Sequence, residues 1–239
     1  MSLVPQHLDA NTQAKYRSII KTYGITEATT WAEARPKVDG ILNPNTRRSV
    51  IIALRTLLGA EGAPAVPKAV RRVYDLPTDS DLAAASEGPY RHLVMAMAYA
   101  GLRAGEACAL RPEQVRRTGA TCYIEVIASL SNDGRVKRPK SGAGRVVIPE
   151  WLYDLLHAEQ EWPVILPNSL YKWCRRRGIQ PHGLRHFYAT YLVRNVANVE
   201  LARRQLRHAN LATTLQTYVE ITAADEMAVI GGLANPFAA

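Results

Sequence analysis

The side chains best suited to chemistry gather between His182 and Tyr218. His182, Arg185 and His186 open the stretch, Arg207 and His208 follow an arginine-rich run, and Tyr218 closes it. Guanidinium and imidazole groups offer charge and directed hydrogen bonds, a set fit for an anionic ligand. On an α-helix, positions 182, 185 and 186 share a face, while Leu184, Phe187, Tyr188, Tyr191 and Leu192 recur at i, i+3, i+4, i+7 and i+8 as an apolar stripe. The spacing predicts a helix that buries the stripe and turns its cationic side outward. The solvated edge of an ordinary core helix has the same pattern, so the neighbouring segments must decide. His182 and His186 stand one turn apart, which suits a metal, but no Glu follows His182 and no third ligand is evident; no metal is expected.

The elements that would position these residues lie upstream. Tyr90, Leu93, Val94, Met97 and Ala98 make a helical stripe that Gly101 can end, and Leu102-Arg103-Ala104-Gly105-Glu106 begins the next helix. Arg103 at a helix N-terminus stands against the dipole, as an ordinary surface arginine or as one held there to meet an anion. Between Val115 and Pro149 short β-rich runs are separated by Gly119-Ala120, Asn132-Asp133-Gly134 and Gly142-Ala143-Gly144, the signature of a small antiparallel sheet. Lys137 and Lys140 fall at one of its loops, and helices resume over Glu150 to Glu161 and Ser169 to Arg177.

The chain of 239 residues is 47% hydrophobic, enough for a packed core in one large or two modest domains. Its net charge of +9 is unevenly spread: +3 over residues 1–65, +1 over 66–130, +8 over 131–218 and −3 over 219–239. The excess sits with the candidate site and favours a polyanion, most simply nucleic acid, although solubility or an anionic membrane surface would also use it. No run of 18 apolar residues occurs and Met1 to Ala10 lacks the pattern of a signal peptide, so a soluble, unexported chain is expected. Cys108, Cys122 and Cys174 fit no metal-ligand spacing and are assigned packing roles.

Residues 1–64 read as a small helical domain. One helix runs from about Thr12 to Tyr23 and stops at Gly24, a second starts at Thr30 with Glu33 at capping-box spacing, and a third follows Asn43-Pro44-Asn45 and stops at Gly59. Val50, Ile51, Leu54, Leu57 and Leu58 form the third helix's stripe. Arg48 and Arg55, with Arg47 nearby, lie on its other side, as a solvated face or a grip on DNA phosphates. The composition of Gly62 to Pro67 marks a linker, and the boundary is placed there.

Four motifs in this order resemble those of the tyrosine recombinases, and the chain looks most like a phage-type integrase: Gly101-Leu102-Arg103-Ala104-Gly105-Glu106; Lys140-Ser141 followed by Arg145-Val146-Val147-Ile148-Pro149; His182-Gly183-Leu184-Arg185-His186 with Ala189-Thr190; and Leu206-Arg207-His208 ending at Tyr218. The likeness covers about residues 66–222. It implies a mainly α fold with a small antiparallel β-sheet, in which a helical core-site DNA-binding domain (1–64) precedes a mixed α+β catalytic domain (65–222) and a tail (223–239). It implies Tyr218 as nucleophile, Arg103 and Arg185 as phosphate-clamping arginines, and Lys140, His182 and His208 as the remaining catalytic members. That chemistry wants these residue types, because attack on a phosphodiester builds negative charge that planar guanidiniums meet with paired hydrogen bonds. The resemblance further implies double-stranded DNA core sites as substrate, a homotetramer on that DNA, residence in a bacterial cytoplasm and no cofactor. A type IB topoisomerase-like enzyme and a catalytically degenerate DNA-binding module are the alternatives.

Two positions depart from the pattern. Arg207 stands where the family usually has Gly, which alters the turn or adds a phosphate contact, and Lys137 competes with Lys140. The first helical unit begins within about a dozen residues of Met1, so a simple recombinase without an arm-site domain is expected. Met227, Val229, Ile230 and Leu233 in the tail suit exchange between protomers. The final Ala238-Ala239, after the helix-blocking Pro236, resembles tags read by bacterial proteases.

Overall fold

The computed structural model describes residues 3–70, 74–158, 162–195 and 199–207. The chain forms two compact units that divide between Val73 and Tyr74. In the first, α1 (Ala10–Tyr23), α2 (Trp31–Asp39) and α3 (Pro44–Leu58) enclose a core that includes Trp31, Ala34, Val50, Ile51 and Leu54. Local chemistry sets the helix ends. Asp9 accepts from the backbone N–H groups of Asn11 and Thr12, Glu33 accepts from the Thr30 N–H at 2.9 Å, and Gly24 closes α1 in the left-handed region at φ 59°. The expected linker packs on α3: Arg55 Nη2 donates to the Pro64 carbonyl at 2.9 Å, Arg48 Nη1 to that of Pro67 at 2.7 Å, and Asn45 pairs with the Val70 backbone in both directions. These bonds carry the first unit past the compositional boundary at residue 64.

The second unit is built around α5 (Arg91–Ala100). Eight of its ten residues are buried, because α4 (Asp79–Ser86), α6 (Ala104–Ala109), α7 (Glu150–Ala158), α9 (Pro181–Asn195) and the strand β5 (Gly144–Ile148) all pack against it. The single stripe read from the sequence is therefore too narrow: His92, Met95 and Ala96 are buried as well. Each fully buried Leu, Val or Met side chain here contributes about 1.5–3 kcal/mol. The β region forms two sheets. β1 (Val115–Thr118), β2 (Thr121–Val126) and β5 are antiparallel in the order β1-β2-β5, with Tyr123 opposite Val147, and β3 (Ser129–Leu130) pairs with β4 (Val136–Lys137) as a separate hairpin. α8 (Pro167–Arg175) and α10 (Val199–Leu206) complete the described elements. Cys108, Cys122 and Cys174 are buried free thiols, and burial pushes those of Cys108 and Cys174 up to about 12 and about 11.

Among the described residues no helix is long and apolar enough to cross a membrane.

Candidate active site

The site begins where α5 ends. Gly101 takes the left-handed conformation at φ 63°, and a Cβ there would lie 2.5 Å from Cδ1 of Tyr188 on α9. A side chain at 101 is thus excluded twice, by backbone strain and by contact. The turn leads through buried Leu102 to Arg103, the N-cap residue of α6. Glu106, two residues into that helix after Ala104, folds back on it. One carboxylate oxygen accepts from the Arg103 N–H at 2.9 Å and the other from Arg103 Nη1 at 3.1 Å. The carboxylate offsets both the helix dipole and the arginine charge, which explains how a cation is tolerated at that end. Gly105 lets β3 approach, since a Cβ there would lie 2.6 Å from Ser129 Oγ and 2.7 Å from the Leu130 carbonyl oxygen.

α9 brings Arg185 to the same place, but not by the face read from the sequence. Arg185 is buried, at 5% exposure, whereas Tyr191, assigned to the apolar stripe, is 57% exposed. The buried face runs through Pro181, Leu184, Arg185, Tyr188, Ala189 and Leu192. The periodicity was compatible with a rotation of this helix, and Arg185 is buried because it has backbone partners. Its Nη1 donates to the Gly101 carbonyl and its Nη2 to that of Leu206 at 2.5 Å. Burial lowers the Arg185 pKa, and the neighbouring Arg103 and Arg207 guanidiniums lower it further.

Arg207 is also interior, at 9% exposure, and its Nη2 donates to Glu106. It adopts φ 51° directly after α10, so the turn is left-handed at the position where the resembled pattern has glycine. An arginine pays about 1–3 kcal/mol of strain for this conformation. Arg103 and Arg207 thus share the Glu106 carboxylate, and Arg185 lies close enough to interact electrostatically with all three; three cations about one carboxylate is an arrangement that could receive an anion.

His182 is exposed at the start of α9, and its ring packs edge-on against Tyr74 with centroids 4.7 Å apart. Tyr74 also stacks on His186 at 4.6 Å. Close approach of the preceding chain is allowed by Gly183, where a Cβ would lie 2.6 Å from the Asp75 carbonyl oxygen. Lys140 is exposed in a turn closed by Gly142 N–H donating to the Pro139 carbonyl at 2.9 Å, and Lys137 is half-buried in β4. The turn leads into β5, whose Gly144 sits against the Arg207 stem, 3.3 Å from its Cδ to a Cβ built there. His208 and Tyr218, and the tail with Ala238 and Ala239, lie outside the described residues. In the first unit, Arg47 is ion-paired with Asp39, and Arg48 and Arg55 are engaged by the Pro67 and Pro64 carbonyls. Among the described residues no group of three or more His, Cys, Asp or Glu side chains is placed to hold a metal ion.

Sequence and fold comparisons point to similar proteins. The Phage integrase family model matches residues 166–225, the segment from α8 through Tyr218. A tyrosine recombinase of Thermosipho africanus is 30% identical over 137 residues, covering 48% of this chain and 44% of that protein. The chain carries a Phage integrase segment and is similar to tyrosine recombinases. The tyrosine recombinase XerC of Shewanella amazonensis is 26% identical over 173 residues, 65% of this chain and 55% of the relative. The chain thus spans about half the length of the curated relatives it matches. The fold is shared with the Tn1549 transposon integrase in complex with transposon right-end DNA, at 15% identity, TM-score 0.67 and 96% coverage of both chains. It is shared too with a lambda integrase dimer bound to a core site, at 16% identity, TM-score 0.64 and 90% coverage of both.

Two residues of the candidate site were not assigned from sequence. Glu106 had a signal, its capping-box spacing to Arg103, which predicts a folded-back carboxylate. Tyr74 had none, because only the tertiary fold lays it across α9.

Proposed function

We propose that the chain is a site-specific DNA recombinase that cleaves and rejoins DNA through a 3′-phosphotyrosyl intermediate. The observation that carries this reading is the gathering of Arg103, Arg185 and Arg207 about buried Glu106, where a diester phosphate would find guanidinium donors. The family match that runs on through Tyr218, and relatives named as tyrosine recombinases, support it. In this reading Tyr218 Oη bonds to phosphorus as the bond to the 5′-oxygen breaks. The tyrosine gives up a proton and the leaving oxygen gains one, for which Lys140 is the donor; His182 and His208 complete the site. The phosphotyrosyl link keeps the bond energy, so rejoining needs no ATP.

Residues 1–64 serve as the core-site-binding domain, with Arg47 as its candidate DNA-facing cation while Arg48 and Arg55 hold the carbonyls of Pro67 and Pro64, and residues 65–222 as the catalytic domain. The substrate is double-stranded core-site DNA in a bacterial cytoplasm, and the active species is a tetramer joined through residues 223–239. Deleting that tail should weaken synapsis while sparing half-site binding; unchanged recombination would refute the exchange. Ala238 and Ala239 act as a degradation signal, so replacing both by Asp should lengthen the protein's life in bacteria.

The deciding experiment offers a nicked core-site DNA to the wild-type chain and to Tyr218→Phe. A covalent adduct is expected from the first alone, with equal DNA binding by both and no effect of chelator. An adduct that survives the substitution would remove Tyr218 from its role, and none from the wild type would leave a binding module.

A further inference from the structure

Among the described residues, Arg207 is the one non-glycine position in the left-handed region. An outlier of this kind points to a role that outweighs its strain. Its side chain reaches Glu106, a carboxylate that Arg103 already holds through both its N–H and its guanidinium. Arg207 is therefore not required to give Glu106 a partner. Three guanidiniums and one carboxylate leave two positive charges in excess, where Arg185 and Arg207 are 5% and 9% exposed. Such an excess away from water is unfavourable until an anion joins it. Arg207 Nη1 is buried and finds no hydrogen-bond partner among the described residues, so a donor stands ready for that anion.

We infer that Arg207 is a third oxyanion-binding guanidinium, selective for the transition state of phosphodiester cleavage; the inference rests on the function proposed above. A phosphodiester carries one negative charge, and the five-coordinate phosphorus formed when the tyrosine oxygen adds carries two. With glycine at 207 the cluster would hold one net positive charge, suited to the bound diester. With arginine it holds two, suited to the transition state, and interactions that strengthen there raise rate rather than affinity. Arg207 keeps all its protons: Nη1 donates a hydrogen bond to a non-bridging oxygen while the 5′-oxygen departs with a proton from elsewhere.

The test is single-turnover cleavage by Arg207→Gly and Arg207→Lys on two suicide substrates, one with a normal scissile phosphate and one with a methylphosphonate, which lacks the charged non-bridging oxygen. On the normal substrate Arg207→Gly should be slower by about a hundredfold at unchanged half-site affinity, the usual cost of one oxyanion donor. The lysine variant should fall between. On the methylphosphonate the glycine penalty should shrink to within roughly threefold, since the charge that Arg207 meets is gone. Equal penalties on both substrates, or none on the normal one, overturn the inference. If the wild type forms no adduct, the proposed function fails on its own terms, and tungstate titration of the free protein decides instead. Arg207→Gly should then bind tungstate about tenfold more weakly than wild type, the loss of one charge-assisted contact; equal affinity overturns the assignment.

Discussion

Arg185 Nη1 donates to the carbonyl oxygen of Gly101, 84 residues earlier in the chain, while its Nη2 donates to that of Leu206. One buried guanidinium thus satisfies carbonyls at the C-terminal ends of α5 and α10, groups that a helix cannot satisfy internally. The residue that clamps phosphate in the proposed mechanism is also a fastener of the fold.

Arg185→Lys should therefore do more than slow cleavage. An ammonium cannot bridge both carbonyls with a planar fork, and the loss of a charged hydrogen bond at a buried acceptor costs about 2–3 kcal/mol. Urea unfolding checks this, and a variant as stable as the wild type would rule out the fastening role.

Gly105→Ala is expected to separate α6 from β3, because the new methyl would meet Ser129 Oγ at 2.6 Å and the Leu130 carbonyl oxygen at 2.7 Å. Backbone cannot yield as a flexible side chain does, so a destabilisation of about 1–3 kcal/mol is expected. Amide exchange in Ser129 to Lys137 should accelerate more than in α5; uniform change would show that the contact is not local.

Arg48→Ala and Arg55→Ala should loosen the first unit rather than remove DNA contacts. Each arginine already donates to a carbonyl of the 64–67 segment. Loss of either is expected to cost about 1 kcal/mol, seen as faster exchange in α3, with the salt dependence of DNA binding unchanged. A phosphate contact would instead lower the slope of log K against log salt by about one per arginine.

Burial that raises the thiol pKa of Cys108 to about 12 and of Cys174 to about 11 gives a pH dependence of known sign. The folded state favours the protonated thiols, so their contribution is full below the unfolded value near 8.5 and declines as pH rises from there towards the folded values. Unfolding free energy should fall across that window, less steeply in Cys108→Ser or Cys174→Ser after allowance for the substitution itself. Alkylation of either thiol in the native protein at pH 8 should be negligible; rapid modification would contradict their burial.

The local grammar of the sequence determined much of this protein. Gly24 and Gly59 ended helices where glycine permits termination, Thr30 with Glu33 began one, and the switch from helical to alternating patterning between Val115 and Pro149 located the strands. These outcomes depend on neighbours within a few residues, so a linear reading reaches them. The order of the motifs, likewise linear, was enough to draw the resemblance to the tyrosine recombinases.

Which side of α9 faces inward was settled only by packing. Apolar periodicity put Tyr191 inside and Arg185 outside; the fold reverses both, because the carbonyls of Gly101 and Leu206 offer a buried guanidinium the partners that burial demands. Those acceptors come from distant parts of the chain and become neighbours only when α5, α9 and α10 pack. The same holds for Arg207, whose partner Glu106 is 101 residues away, and for Tyr74 against His182 and His186. Sequence determined which groups could meet an anion, whereas tertiary structure decided which of them share one carboxylate, since charge interactions depend on distance in space rather than along the chain.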